Sequence, residues 1–193
     1  ERGVFGKPTG INNVETLVNV LEVLTLGGEA YARIGTPDST GPRLFCLSGC
    51  VERPGAYEVE HGVTLRELLE MAGGVRGGKA LKAILLGGAA GSFVTPDDLD
   101  LRLTFEDSKA AGVTLSSGVV MVFDEDVDLA DIVLRIAAFF RDESCGQCVP
   151  CRVGTVRQEE ALARVIAGRA NGSLSDELAL IGEIGQVMRD ASI

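Results

Sequence analysis

Three of the five cysteines, Cys145, Cys148 and Cys151, stand at i, i+3 and i+6 in the stretch Glu143-Ser144-Cys145-Gly146-Gln147-Cys148-Val149-Pro150-Cys151-Arg152-Val153-Gly154. That spacing is too tight for three separate disulfides and suits one inorganic body. A C-x₂-C-x₂-C run can wrap three corners of a cubane iron–sulfur cluster, which takes four thiolates. The simple bacterial run adds another cysteine after three more residues, but here Arg152, Val153, Gly154 and Thr155 follow and no cysteine comes after them. The fourth ligand is therefore open. Zinc is the structural alternative, yet such sites pair two C-x₂-C knuckles or one knuckle with histidines, and this chain offers neither pattern. The run favours iron–sulfur. Pro150 fits the first turn of a helix, so Cys151 lies where the helix dipole and free N–H groups stabilise negative charge. Arg152 and Arg157 add positive charge, and Gly146 and Gly154 leave room for backbone N–H groups to approach inorganic sulfide.

Other candidates are weaker. Asn12 and Asn13 precede Val14, Leu17, Val18, Leu21 and Leu24, which repeat at helical spacing as far as Gly27-Gly28. Either asparagine can cap that helix, and Asn12 with Glu15 resembles a capping box. The structural reading is a capped amphipathic helix; the functional reading is a helix N-terminus offering N–H groups and amides to a polar or anionic cofactor. His61, the only histidine, sits in a turn with no second histidine or acid cluster and is expected to be a solvent-exposed loop residue. Cys46 and Cys50, extended, would stand roughly 13 Å apart, too far for a disulfide or a shared cluster. They are expected to be buried structural thiols.

The elements that must hold these residues follow in order. Residues 31–42 read as a linker rich in turn formers. Arg43 to Val51 and Ala56 to Glu60 flank the turn Glu52-Arg53-Pro54-Gly55 as a hairpin. Thr64 and Glu67 form a capping box for a helix with Leu65, Leu68, Leu69 and Ala72 inward and Gly73-Gly74 at its end. Strands are expected at Ala83 to Leu86, around Ser92 to Thr95 and at Val119 to Phe123. Hairpin, helix and further strands is the order of a β-grasp, an α+β sheet with one helix across it. From Asp126 the period becomes helical: one helix to about Asp142, one from Pro150 to Gly168, and a third capped by Ser175-Asp176. Three helices with short links suggest a bundle.

A net charge of −10 with no basic patch excludes a phosphate-binding surface and so nucleic acid. The most apolar runs are too short to span a bilayer, and no secretory leader is visible. An odd cysteine count with a cluster points to a reducing compartment, the cytoplasm by default. The chain opens on Glu1 in what reads as a mid-protein loop, and is expected to be a piece of something longer.

Glu143 to Thr155 resembles the E-S-C-G-x-C-x-P-C-R-x-G signature of the 51 kDa-type flavoprotein subunit of respiratory complex I and its relatives. Those relatives are the diaphorase subunits of NAD-linked formate dehydrogenases and hydrogenases. Gly6 to Leu17 resembles the family's G-x-P-T-x-x-N-N-V-E-T segment, and Ser48 to Val59 the opening of its β-grasp (SLBB-type) domain. The resemblance implies three segments: the end of an FMN/NADH-binding domain and a linker over 1–42, the SLBB-type domain over 43–125, and a helical [4Fe–4S]-binding domain over 126–193. It implies that Cys145, Cys148 and Cys151 are cluster ligands, with the fourth cysteine following a stretch like Met188 to Ile193. It also implies that Asn12 and Asn13 lie near FMN, and that NAD(H) binds in the intact subunit. By the same resemblance the partners are a 24 kDa-type thioredoxin-like [2Fe–2S] subunit and an iron–sulfur large subunit, with no nucleic acid and no direct membrane insertion. Complex I proper usually reads P-C-R-E-G in the loop, whereas Val153 stands at the Glu position here, as in many soluble relatives.

Overall fold

The computed structural model describes residues 2–193. Two compact units divide the chain, the first ending at Asp126 and the second running Val127–Ile193. In the first, α1 (Val14–Leu26) and α2 (Gly28–Tyr31) precede a five-stranded sheet. The strands are β1 (Pro42–Gly49), β2 (Gly55–Glu60), β3 (Leu81–Leu86), β4 (Ser92–Val94) and β5 (Val119–Asp124), with α3 (Leu65–Met71) between β2 and β3 and α4 (Phe105–Ala110) before β5. Their order is β2-β1-β5-β3-β4, with β1 and β5 parallel and the other neighbours antiparallel. Bringing the first and last strands side by side in parallel needs a crossover, and the chain between them supplies it. This is the β-grasp arrangement that the order of elements predicts.

Alternation within the strands explains the core. In β1, Phe45 and Leu47 are buried and meet Ile84, Leu86, Val120 and Val122 from the neighbouring strands. Leu65, Leu68 and Leu69 of α3 close over the same face. The expected capping box is present: Thr64 Oγ1 accepts from the Glu67 N–H at 3.2 Å, and Glu67 accepts from the Thr64 N–H at 2.8 Å. Cys46 lies between Phe45 and Leu47 and so points outward; it is exposed, and Cys50 at the strand end is half-buried. The expectation of two buried structural thiols is thus corrected, because an alternating strand that buries both neighbours of Cys46 must turn it to solvent.

His61 also departs from expectation. It is only 8% exposed, its Nδ1 hydrogen-bonds the Leu103 carbonyl at 3.1 Å, and its ring lies on Phe105 with centroids 5.3 Å apart. The partners lie some forty residues onward, so no local pattern announces them. Helix α1 is the opposite case. It has no buried residue, and its apolar face, including Leu17 at 57% and Leu24 at 77% exposure, is uncovered.

The second unit consists of α5 (Leu129–Asp142), α6 (Val149–Ile166) and α7 (Leu174–Ala191). Arg141, at the end of α5, reaches both Glu159 carboxylate oxygens on α6 at 2.5 Å. Glu177 on α7 is buried and takes Arg164 Nε at 2.9 Å and the Asn171 N–H at 2.7 Å. Helix α7 is capped by Ser173 in a capping box with Asp176, two residues before the expected Ser175. Ser173 is the residue whose hydroxyl reaches the free N–H three positions on.

Two outcomes follow. Leu68→Ala should destabilise the grasp by about 2–5 kcal/mol through lost transfer energy and a cavity, whereas Leu17→Ala should be near neutral, both read by denaturant unfolding. Arg164 first, and then the Asn171 N–H, hold the Glu177 carboxyl below the ordinary glutamate range. A depressed folded pKa gives stability that is complete above the unfolded pKa and is lost as pH falls through the depressed value. The thermal unfolding midpoint of the helical unit should therefore fall on acidification, and Glu177→Gln should flatten that dependence while lowering the midpoint at neutral pH.

Candidate metal centre

The cysteine loop joins α5 to α6. Cys145 lies in the loop and is exposed; Cys148 is the N-cap residue of α6 and Cys151 lies in its first turn, both half-buried. Pro150 sits in that first turn, where its missing N–H costs no intrahelical bond. Gly146 takes φ +77°, a left-handed conformation that turns the chain between Cys145 and Cys148. Arg152 folds back so that its Nη1 donates to the Ser144 carbonyl at 2.9 Å. This ties the far end of the loop to the helix. Ser144 Oγ lies 3.7 Å from Cys151 Sγ, a contact that no sequence pattern announces. A serine in a glycine-rich loop carries no distinctive signal.

The Cys148 thiol is held below the usual range, first by the Ile193 backbone that follows α7, beside which the Ser192 hydroxyl is buried without a hydrogen-bond partner. The end of α7 therefore arrives at the N-terminus of α6. That meeting depends on Gly154, which is buried: a Cβ there would stand 2.5 Å from Met188 Cγ and Sδ. Gly154 serves helix–helix contact.

All five cysteines are free thiols. Among the described residues, no three His, Cys, Asp or Glu side chains gather closely enough to hold a single metal ion. A structural zinc needs four donors at tetrahedral distance around one ion. A cubane cluster spreads its thiolates over the corners of a larger body, so three separated thiols on a loop and a first helical turn, with N–H donors and Arg152 beside them, fit it.

In the first unit, Asn13 is the N-cap of α1, with its Oδ1 accepting from the Thr16 N–H at 3.2 Å. Asn12 Oδ1 accepts from the Asn13 N–H at 2.8 Å. Because both amide oxygens are engaged locally, the two exposed side chains present their NH₂ groups outward as donors. Asn13 also lines a cleft of about 560 Å³ with Glu15, Tyr31, Arg43, His61 and Ser116. Arg43 and His61, neither of which its sequence context marks as a site residue, flank Phe105; the guanidinium lies 5.2 Å from that ring and 5.6 Å from Phe45.

Two family models match the chain. Residues 44–91 match the SLBB domain, and residues 131–193 match the NADH-ubiquinone oxidoreductase-F iron–sulfur binding region. An SLBB-type β-grasp followed by a helical 4Fe–4S binding region is the class of protein that this fold and loop define. Over 178 residues the chain is 40% identical to the F subunit of the NADH-quinone oxidoreductase of Rickettsia felis, a match covering 91% of this chain and 42% of that protein. It is also 40% identical to the corresponding NADH-quinone oxidoreductase protein of Aquifex aeolicus, covering 88% of this chain and 39% of that one. Among solved structures, an NAD⁺-reducing [NiFe]-hydrogenase in the H₂-reduced state matches with a TM-score of 0.82 and 38% identity, over 99% of this chain and 32% of that chain. Over nine tenths of its length the chain is thus similar to F subunits of NADH-quinone oxidoreductases, and it carries an SLBB domain and the iron–sulfur binding region named for that subunit. It spans about two fifths of the length of the curated relatives it matches.

A lowered pKa shifts thiolate formation to lower pH. In the metal-free chain, alkylation of Cys148 followed by peptide mass spectrometry should titrate below the range of an ordinary thiol.

Proposed function

We propose that this chain is the electron-relaying portion of an NADH-oxidising flavoprotein subunit, in which Cys145, Cys148 and Cys151 hold three corners of a [4Fe–4S] cluster. When bound, FMN and the cluster supply hydride acceptance and one-electron transfer, respectively. The chain's own residues set position, charge and insulation. The observation that carries the reading is the convergence at α6: three free thiols at its N-terminal end, the positive end of an 18-residue helix, and the Ile193 backbone after α7, which holds the Cys148 thiol below the usual range. Each stabilises thiolate and cluster charge. The arrival of Ser192 and Ile193 at Cys148 also supports a fourth cysteine supplied from the C-terminal side of α7, as the family resemblance implies.

Asn12 and Asn13, with their amide donors facing out beside the cleft, are the residues proposed to meet FMN. The SLBB-type unit is the proposed scaffold. The NAD(H) site belongs to the intact subunit, and the proposed partners are a thioredoxin-like [2Fe–2S] subunit and an iron–sulfur large subunit. The proposed location is the cytoplasm, peripheral to the inner membrane through partner subunits. No described helix is long and apolar enough to cross a membrane.

A second reading places the chain in the diaphorase subunit of a soluble NAD-linked hydrogenase or formate dehydrogenase. Val153 favours it, since complex I usually carries glutamate at this place, and the hydrogenase likeness supports it. Both readings share the relay. Anaerobic iron–sulfide reconstitution of the chain extended past Ile193 should give a reduced-cluster electron paramagnetic resonance signal that Cys148→Ser abolishes or converts. Stoichiometric zinc with no cluster signal would overturn the relay.

A further inference from the structure

Helix α1 is joined to the sheet by a carboxylate. Glu15 Oε1 accepts the N–H of Leu44, on β1, at 2.8 Å. That N–H is left over by strand pairing. On the same side of β1 two residues on, the Cys46 N–H is taken by the Gly118 carbonyl at 2.9 Å, and the register with β5 begins only at Cys46↔Val119. Leu44 therefore presents its amide beyond the end of the partner strand, and Glu15 supplies the acceptor that β5 does not. The same carboxylate also acts on Arg43. Burial pushes the Arg43 guanidinium down and Glu15 opposes that, while Arg43 Nε is buried without a hydrogen-bond partner. One turn on, Asn19 Nδ2 donates to the Glu15 carbonyl at 2.9 Å. Glu15 is thus a hydrogen-bonded tie between α1 and the first strand of the sheet.

We infer that Glu15 is a positioning residue: by accepting from Leu44 it fixes the amide cap of α1, Asn12 and Asn13, at a set place relative to the β-grasp. The inference rests on the proposed FMN reading of that cap. It gives Glu15 a role other than capping, which is already filled by Asn13. The carboxylate contributes reach and an acceptor to a strand amide, not a contact to the flavin.

The test uses the intact flavin-loaded subunit containing this chain. Glu15→Ala should weaken FMN retention by about tenfold, the scale of one lost hydrogen bond, shift the flavin midpoint potential, and speed hydrogen exchange at the Leu44 amide. Glu15→Gln, whose amide oxygen still accepts, should stay near wild type. Glu15→Asp, one methylene too short, should behave like Glu15→Ala, and Glu22→Ala on the same helix should change nothing. If Asn12→Ala weakens FMN retention but Glu15→Ala does not, the inference falls and the FMN reading stands. If neither affects FMN, the FMN reading falls, and with it the proposed purpose of the tie. Unchanged exchange at Leu44 in Glu15→Ala overturns the tie itself.

Discussion

The close approach of α6 and α7 is the constraint on which the proposed cluster site depends. A Cβ at residue 154 would stand 2.5 Å from Met188 Cγ and Sδ, so any larger residue there displaces the Met188 side chain. With that contact made, the chain leaving α7 reaches the first turn of α6, where the Ile193 backbone lowers the pKa of the Cys148 thiol. The Arg164–Glu177 pair, with Glu177 also accepting the Asn171 N–H, fixes the opposite end of the same two helices. Arg141 and Glu159 secure α5 to α6 just before the loop begins. The loop itself is short and glycine-bearing. Its geometry is set by the helices on either side more than by its own bonds.

In the grasp unit the organising constraint is different. A parallel pairing of β1 with β5 closes the sheet over one α3 face, and burial of Phe45, Leu47, Leu65 and Leu68 supplies the driving force. The polar cleft beside α1 forms where this ladder stops. There the backbone of β1 outruns its partner, and charged and aromatic groups meet: Glu15 takes the leftover amide, Arg43 lies between two rings, and His61 packs at a tilt against Phe105. A scaffold of this kind carries positional information by polar contacts at its edge, while its core supplies rigidity.

Much of this is legible in the residues alone, for physical reasons that can be named. The β-grasp follows from strand alternation, one capped helix and the order of elements, all of them local signals. The Thr64–Glu67 capping box and the helix opened at Pro150 are equally local, since a cap is decided within four residues. Cys46 is harder, because its apolar neighbours suggest burial while strand alternation sends its own side chain to the outer face. His61 is harder still, because its partners, Leu103 and Phe105, are distant in sequence, and a turn histidine carries no mark of what folds over it.

By itself, the sequence determined the chemistry on offer: three thiols at a spacing that suits a cluster, amides at a helix start, and an α+β unit followed by helices. Those are properties of residue type and period, which survive without tertiary contacts. Only the tertiary structure decided what each residue faces. It assigned Gly154 to helix packing, brought the end of α7 to Cys148, buried His61, and gave Glu15 the unpaired amide of Leu44. Each of these depends on elements far apart in the chain meeting at hydrogen-bond or van der Waals distance, and no local pattern encodes that meeting.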